Sequence, residues 1–105
     1  MRASLVFLFT VLSAFPALAK ETVFDFPRLN PNGAPIDYCL YPAKQCGQPA
    51  ADAFCEKKNA GKALRFEAGR SYQQTYIMGT KEFCDAKKYG HCDSFKKIVC
   101  VYYTY

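Results

Sequence analysis

Cys46-Gly47-Gln48-Pro49-Ala50-Ala51-Asp52-Ala53-Phe54-Cys55 sets a cysteine at each end of a short amphipathic helix. Pro49 suits the first helical position, because its missing N–H costs nothing there and its fixed φ is already helical. Asp52 near the start, and Lys57 and Lys58 near the end, carry the charge signs that the helix dipole favours. Gly61 is the expected stop, since glycine enters the left-handed conformation without steric cost. At about 100° per residue, Ala50, Ala51, Phe54 and Cys55 share one face. Asp52, Glu56 and Asn59 share the other, which is expected to be solvated. Small alanines allow close approach to a sheet, and Phe54 is the anchor. A helix of about three turns is marginal alone in water, so packing and a disulfide at Cys55 must hold it.

Upstream, Arg2, the apolar run Ser4–Phe15 and the ending Ala17-Leu18-Ala19 have the form of a secretory signal peptide (residues 1–19), with cleavage expected after Ala19. The run falls short of the ~20 residues a bilayer span needs, so no stable membrane span is expected after cleavage. The remaining chain, expected to be secreted or periplasmic, is the size of one domain. It holds all six cysteines: Cys39, Cys46, Cys55, Cys84, Cys92 and Cys100. An even count in a short exported chain implies three disulfides formed in an oxidising compartment. Six cysteines allow about 15 pairings, of which only Cys84–Cys92, across a short turn, is favoured. A domain this small buries little apolar surface, so each bridge, at about 2–4 kcal/mol, matters. The formal net charge of +5 is ordinary for a small soluble domain and favours weak attraction to acidic partners.

Residues 20–35 are broken by Pro27, Pro31, Pro35 and Asn32-Gly33, and read as an extended lead-in with turns, in which Phe24 and Phe26 form at most a short edge strand. The disulfide-rich domain is placed at residues 36–105. Beyond Gly61, residues 63–68 alternate as a half-buried strand with Leu64 and Phe66 inward, and Gly69-Arg70-Ser71 reads as a turn. Residues 72–78 and 80–84 are further short strands around Gly79, and residues 85–91 a polar connection. In the last strand, residues 93–104, both faces are apolar, as a central strand covered by the helix requires. The expected fold is therefore α+β: one short helix packed on a small, mostly antiparallel sheet and stapled by three disulfides.

Four segments carry a family resemblance: Tyr38-Cys39, the Cys46–Cys55 segment, Tyr76-Ile77-Met78-Gly79, and Cys92-Asp93-Ser94-Phe95-Lys96-Lys97-Ile98-Val99-Cys100. The chain resembles, from about Ile36 to Cys100, a group of small secreted six-cysteine proteins of bacteria and plants. The resemblance implies the architecture and the export, and brings no catalytic residues with it. The chain departs from that group in a longer connection between its fourth and fifth cysteines, which here carries Lys87-Lys88-Tyr89-Gly90-His91.

The residue types weigh against catalysis. Structural zinc sites draw on closely spaced cysteine pairs. The cysteines here are separated by six, eight, 28, seven and seven residues, so no metal or other cofactor is expected. His91 is the only histidine, beside Gly90, and reads as a solvated turn residue. Oxidised cysteines offer no thiolate nucleophile. Binding suits the composition better. Tyr72, Tyr76, Tyr89, Tyr102, Tyr103 and Tyr105 interleave with Lys81, Lys87, Lys88, Lys96 and Lys97, and tyrosine offers a flat apolar face plus a hydroxyl. Export argues against a nucleic-acid target. The expectation is a non-catalytic extracytoplasmic binding protein that recognises a protein or glycan through Lys87, Lys88, Tyr89 and His91, with Tyr72 and Lys96 beside them. Two alternatives are an exported inhibitor of a hydrolase, inserting the same loop into its target, and a small carboxylate-dependent hydrolase using Glu56, Glu67 or Glu82.

Overall fold

The computed structural model describes residues 18–104. Residues 1–17, most of the segment read as a signal peptide, lie outside the described residues, as does Tyr105. Along the chain run β1 (Leu18–Asp25), β2 (Cys39–Tyr41), β3 (Lys44–Cys46), α1 (Gln48–Lys57), β4 (Ala63–Tyr72), β5 (Gln74–Ile77), β6 (Glu82–Asp85), α2 (Ala86–Tyr89) and β7 (Cys92–Thr104). The sheets are antiparallel: three strands in the order β1-β7-β4, and two hairpins, β2-β3 and β5-β6. No helix among the described residues is long and apolar enough to cross a membrane. The α+β architecture expected from the sequence is the one observed.

Ala50, Ala51, Phe54 and Cys55 are the buried residues of α1, the same four that share a face by periodicity. They pack with Ile36, Ala63, Met78, Phe95, Ile98 and Cys100 as one core. Burying a side chain such as Phe54 completely contributes about 1.5–3 kcal/mol. Phe24 of β1 meets it edge-on, with ring centroids 5.1 Å apart. The helix ends differently from expectation. Asn59, at φ 63°, supplies the left-handed residue, and Gly61 instead donates its N–H to the Val101 carbonyl at 2.9 Å. Asp52 is also more than a solvated carboxylate. One of its oxygens accepts from the Ala63 N–H at 2.9 Å and from Gln48 Nε2 at 2.7 Å, tying α1 to the first residue of β4.

Strand β7 is central and buried on both faces. Ile98 and Cys100 face the helix side of the sheet, in the core. Val99 and Val101 face the other way and are buried too. Arg65, opposite Val99 on β4, reaches across to Glu21, opposite Val101 on β1, at 3.4 Å, an exposed ion pair spanning β7.

The supposed lead-in contributes six residues, and the end of the expected signal peptide two, to the eight-residue strand β1, paired along its length with β7. Charged and small residues obscure it, because its outer face is in water and, among its described side chains, Phe24 alone packs on the core. Leu64 is half exposed, and Ala63 is buried in its place. An irregularity in register between Ala63 and Arg65 moves the alternation by one residue, which no period-two count anticipates. Two further irregularities, at Glu67/Ala68 and Ala68/Ser71, carry β4 through Gly69-Arg70-Ser71 without a turn. A Cβ on Gly69 would lie 2.7 Å from the Lys96 nitrogen and from the Phe95 carbonyl carbon, so the bulge closes only over glycine.

The bridges are Cys39–Cys46 across the β2-β3 hairpin, Cys55–Cys100 from α1 to β7, and the expected Cys84–Cys92 from β6 to the start of β7. All six cysteines are paired.

Candidate functional site

A cleft of about 310 Å³ opens where the hairpins meet the start of β7. Its lining includes Asp37, Tyr38, Tyr89, His91 and Asp93, with Ile77 and the Cys84–Cys92 bridge as apolar wall and the Pro42-Ala43 turn as another edge. That turn joins β2 to β3, with proline at its first central position and Ala43 at φ 56° in its second.

Backbone pairing brings Asp37 and Asp93 to the same cleft. The Asp37 N–H donates to the Tyr76 carbonyl and the Tyr38 N–H to the Asp93 carbonyl, both at 2.8 Å, and Asp37 bridges to Ser94. Asp37 is only 7 % exposed. Thr75 Oγ1 donates to one of its oxygens, and the Cys39 N–H donates to the other at 2.9 Å. Burial pushes the Asp37 carboxyl above its ordinary value, against those two hydrogen bonds, which pull it down; the nearby Asp93 charge adds to the rise and His91 opposes it. Asp93 accepts from Ser71 Oγ at 2.6 Å and lies 3.2 Å from His91 Nδ1, forming a chain from serine to carboxylate to imidazole at the rim.

Residues 85–91, expected as a plain connection, hold one helical turn, α2. The Asp85 side chain caps it, accepting from the Lys87 N–H at 3.0 Å, and Gly90 leaves it at φ 94°. With no buried residue of its own, α2 is held by that cap and by the Cys84–Cys92 bridge at its flanks. It projects Tyr89, half exposed, into the cleft lining, with the Lys88 ammonium 5.4 Å from the ring centroid.

Of the residues expected to bind, Tyr89 and His91 meet in the cleft, and Lys87 and Lys88 stand on its α2 edge. Tyr72 sits opposite Cys92 at the end of β4, outside the lining, with the Arg70 guanidinium 5.4 Å from its ring centroid. Lys96 lies farther along β7, its ammonium 3.9 Å from Glu67. Glu56, Glu67 and Glu82 are exposed on three different elements and none lines the cleft. Sequence reasoning missed Asp37, Tyr38 and Asp93. A local signal existed, since Asp37 stands two residues before Cys39 and Asp93 follows Cys92 directly. Among the described residues, no group of three or more His, Cys, Asp or Glu side chains is arranged to hold a metal ion.

The chain matches no protein-family model, no curated protein and no solved structure.

Proposed function

We propose that this chain is an extracytoplasmic, non-catalytic binding protein that takes hold of its partner with the cleft beside α2 and the Tyr/Lys rim around it. The observation that carries this reading is the cleft itself. It is concave and largely apolar, and it carries a few converging polar groups between two disulfides. Its size falls at the small end for ligand sites, which suits one side chain or one sugar ring of a larger partner. Rigid flanks lower the ordering cost of binding. Three disulfides in so small a chain accord with export.

The test is capture from an extracellular or envelope extract, alongside a glycan array. The wild-type protein is compared with Tyr89→Ala and with the double variant Lys87→Ala/Lys88→Ala. Loss of capture with an unchanged melting temperature supports the reading. Equal capture by all three proteins rejects it.

One observation favours a second, hydrolytic reading: Asp37, its carboxyl raised by burial, shares the cleft with Asp93 and His91, residue types that serve general acid–base catalysis. In that case catalysis would fall to Asp37 and Asp93 rather than to Glu56, Glu67 or Glu82. Binding is the preferred reading because the cleft wall is largely apolar and aromatic, which suits contact with a partner. Turnover of a polysaccharide or peptide that disappears in Asp37→Asn would reverse this preference.

A further inference from the structure

The cleft has an unusual charge layout for a chain of net charge +5. Asp37 and Asp93 lie within it, whereas the exposed lysines Lys87 and Lys88 stand on α2 beside Tyr89, and exposed Lys44 follows the lining residue Ala43. The walls between are apolar or aromatic: Tyr38, Ile77, Pro42 and the Tyr89 ring. A group that fits must therefore be cationic at its tip and apolar along its stem. The ordered lysines on the edge repel further positive charge and attract an acidic neighbour. The apolar and aromatic walls suit an organic cation.

We propose, building on the binding reading above, that the cleft accepts an arginine side chain from an acidic segment of a protein partner. Guanidinium is the better fit over ammonium. Its planar fork can bond the two oxygens of one carboxylate, it stacks on an aromatic face such as that of Tyr89, and it sheds water more readily. Asp93 is the accessible carboxylate, its side chain 46 % exposed; it accepts from Ser71 through one oxygen and lies beside His91 through the other, and each oxygen keeps a second lone pair for the guanidinium. The methylene stem lies along Ile77 and Pro42, and the flanking acidic residues of the partner meet Lys44, Lys87 and Lys88.

The test follows amide shifts of Tyr89, His91 and Asp93 in the ¹⁵N-labelled protein as three short capped peptides are added: Glu-Arg-Glu, Glu-norleucine-Glu and Lys-Arg-Lys. Glu-Arg-Glu is expected to bind at least about tenfold more tightly than either of the others, the size of one charge-assisted hydrogen bond. Asp93→Asn, which keeps an acceptor for Ser71, should lose about tenfold for Glu-Arg-Glu and almost nothing for Glu-norleucine-Glu. Equal binding of the arginine and norleucine peptides, or an unchanged affinity in Asp93→Asn, overturns the assignment. Saturation of the cleft by free arginine as tightly as by Glu-Arg-Glu also overturns it, because the partner would then be a small molecule. If no peptide binds while Tyr89→Ala still abolishes capture of a partner from extract, the arginine assignment falls and the binding reading stands.

Discussion

Removing one disulfide at a time should rank the three bridges by the length of chain each closes, with Cys55–Cys100 far ahead. Its cysteines are 45 residues apart, against seven for Cys39–Cys46 and eight for Cys84–Cys92. In the chain-entropy account the loss grows with the logarithm of loop length. It comes to ~4.0 kcal/mol for the long loop, against ~2.4 and ~2.5 kcal/mol for the two short ones. Cys55 and Cys100 are also wholly buried in the main core, so their replacement adds a cavity cost that the exposed Cys46 does not incur. The whole domain, at ~0.05–0.15 kcal/mol per residue, has a stability of about 4–13 kcal/mol, so losing ~4 kcal/mol brings it near the folding threshold. The assay is urea unfolding of Cys55→Ala/Cys100→Ala and Cys39→Ala/Cys46→Ala, with a non-reducing peptide map verifying that the remaining bridges form. Alanine is preferred to serine, which would bury unpaired hydroxyls. At ~4–8 °C per kcal/mol, a gap of at least ~1.6 kcal/mol separates the two melting temperatures by about 6–13 °C. The reasoning is refuted if the Cys39/Cys46 variant loses as much stability as the Cys55/Cys100 variant.

Three shorter expectations concern single side chains. Because Asp37 titrates above its ordinary value of 3.8, the folded state holds its proton more tightly than the unfolded chain does. Its contribution to stability therefore rises as pH falls from its raised midpoint to about 3.8, and is lost again as pH rises. Thermal melts between pH 7 and pH 4 should show the wild type gaining on Asp37→Asn as acid is added; a constant difference would count against a buried charged Asp37. Asp52→Ala should cost about 1.5–3 kcal/mol in urea unfolding, through the unpaired Ala63 N–H, while Asp52→Asn recovers most of it and Glu56→Ala, on the exposed face, costs little. Equal losses for Asp52→Ala and Glu56→Ala would deny that tie. Gly79→Ala should destabilise by about 1–3 kcal/mol, because the new methyl would press on the Leu40 carbonyl oxygen and the Tyr41 ring, and the backbone has nowhere to yield. An unchanged denaturation midpoint would contradict the packing there.

Local periodicity and local loop closure were readable in the chain alone. The four apolar residues of α1 announce their face through a 3.6-residue repeat, which depends only on helix geometry. The short turn between Cys84 and Cys92 favours their bridge, although Cys39 and Cys46 are closer still and the sequence leaves their bridge open, and the doubly apolar β7 declares its central place. The Cys55–Cys100 partnership was not legible, since its spacing distinguishes it from no other long pairing. Nor was most of β1, whose described side chains are mainly exposed and leave little pattern to count.

The sequence by itself determined the helix, the reliance on three disulfides and the chemical character of the residues 85–91 segment, because each follows from neighbours within a few positions. Tertiary structure alone decided the register slip at Leu64, the Arg65–Glu21 pair across β7, and above all the cleft. Asp37 and Asp93 are distant along the chain and line one cleft because the bridge from Asp37 to Ser94 lays their segments side by side. The rise in the Asp37 carboxyl comes from the same closure, since a carboxylate loses its water only when the fold shuts around it.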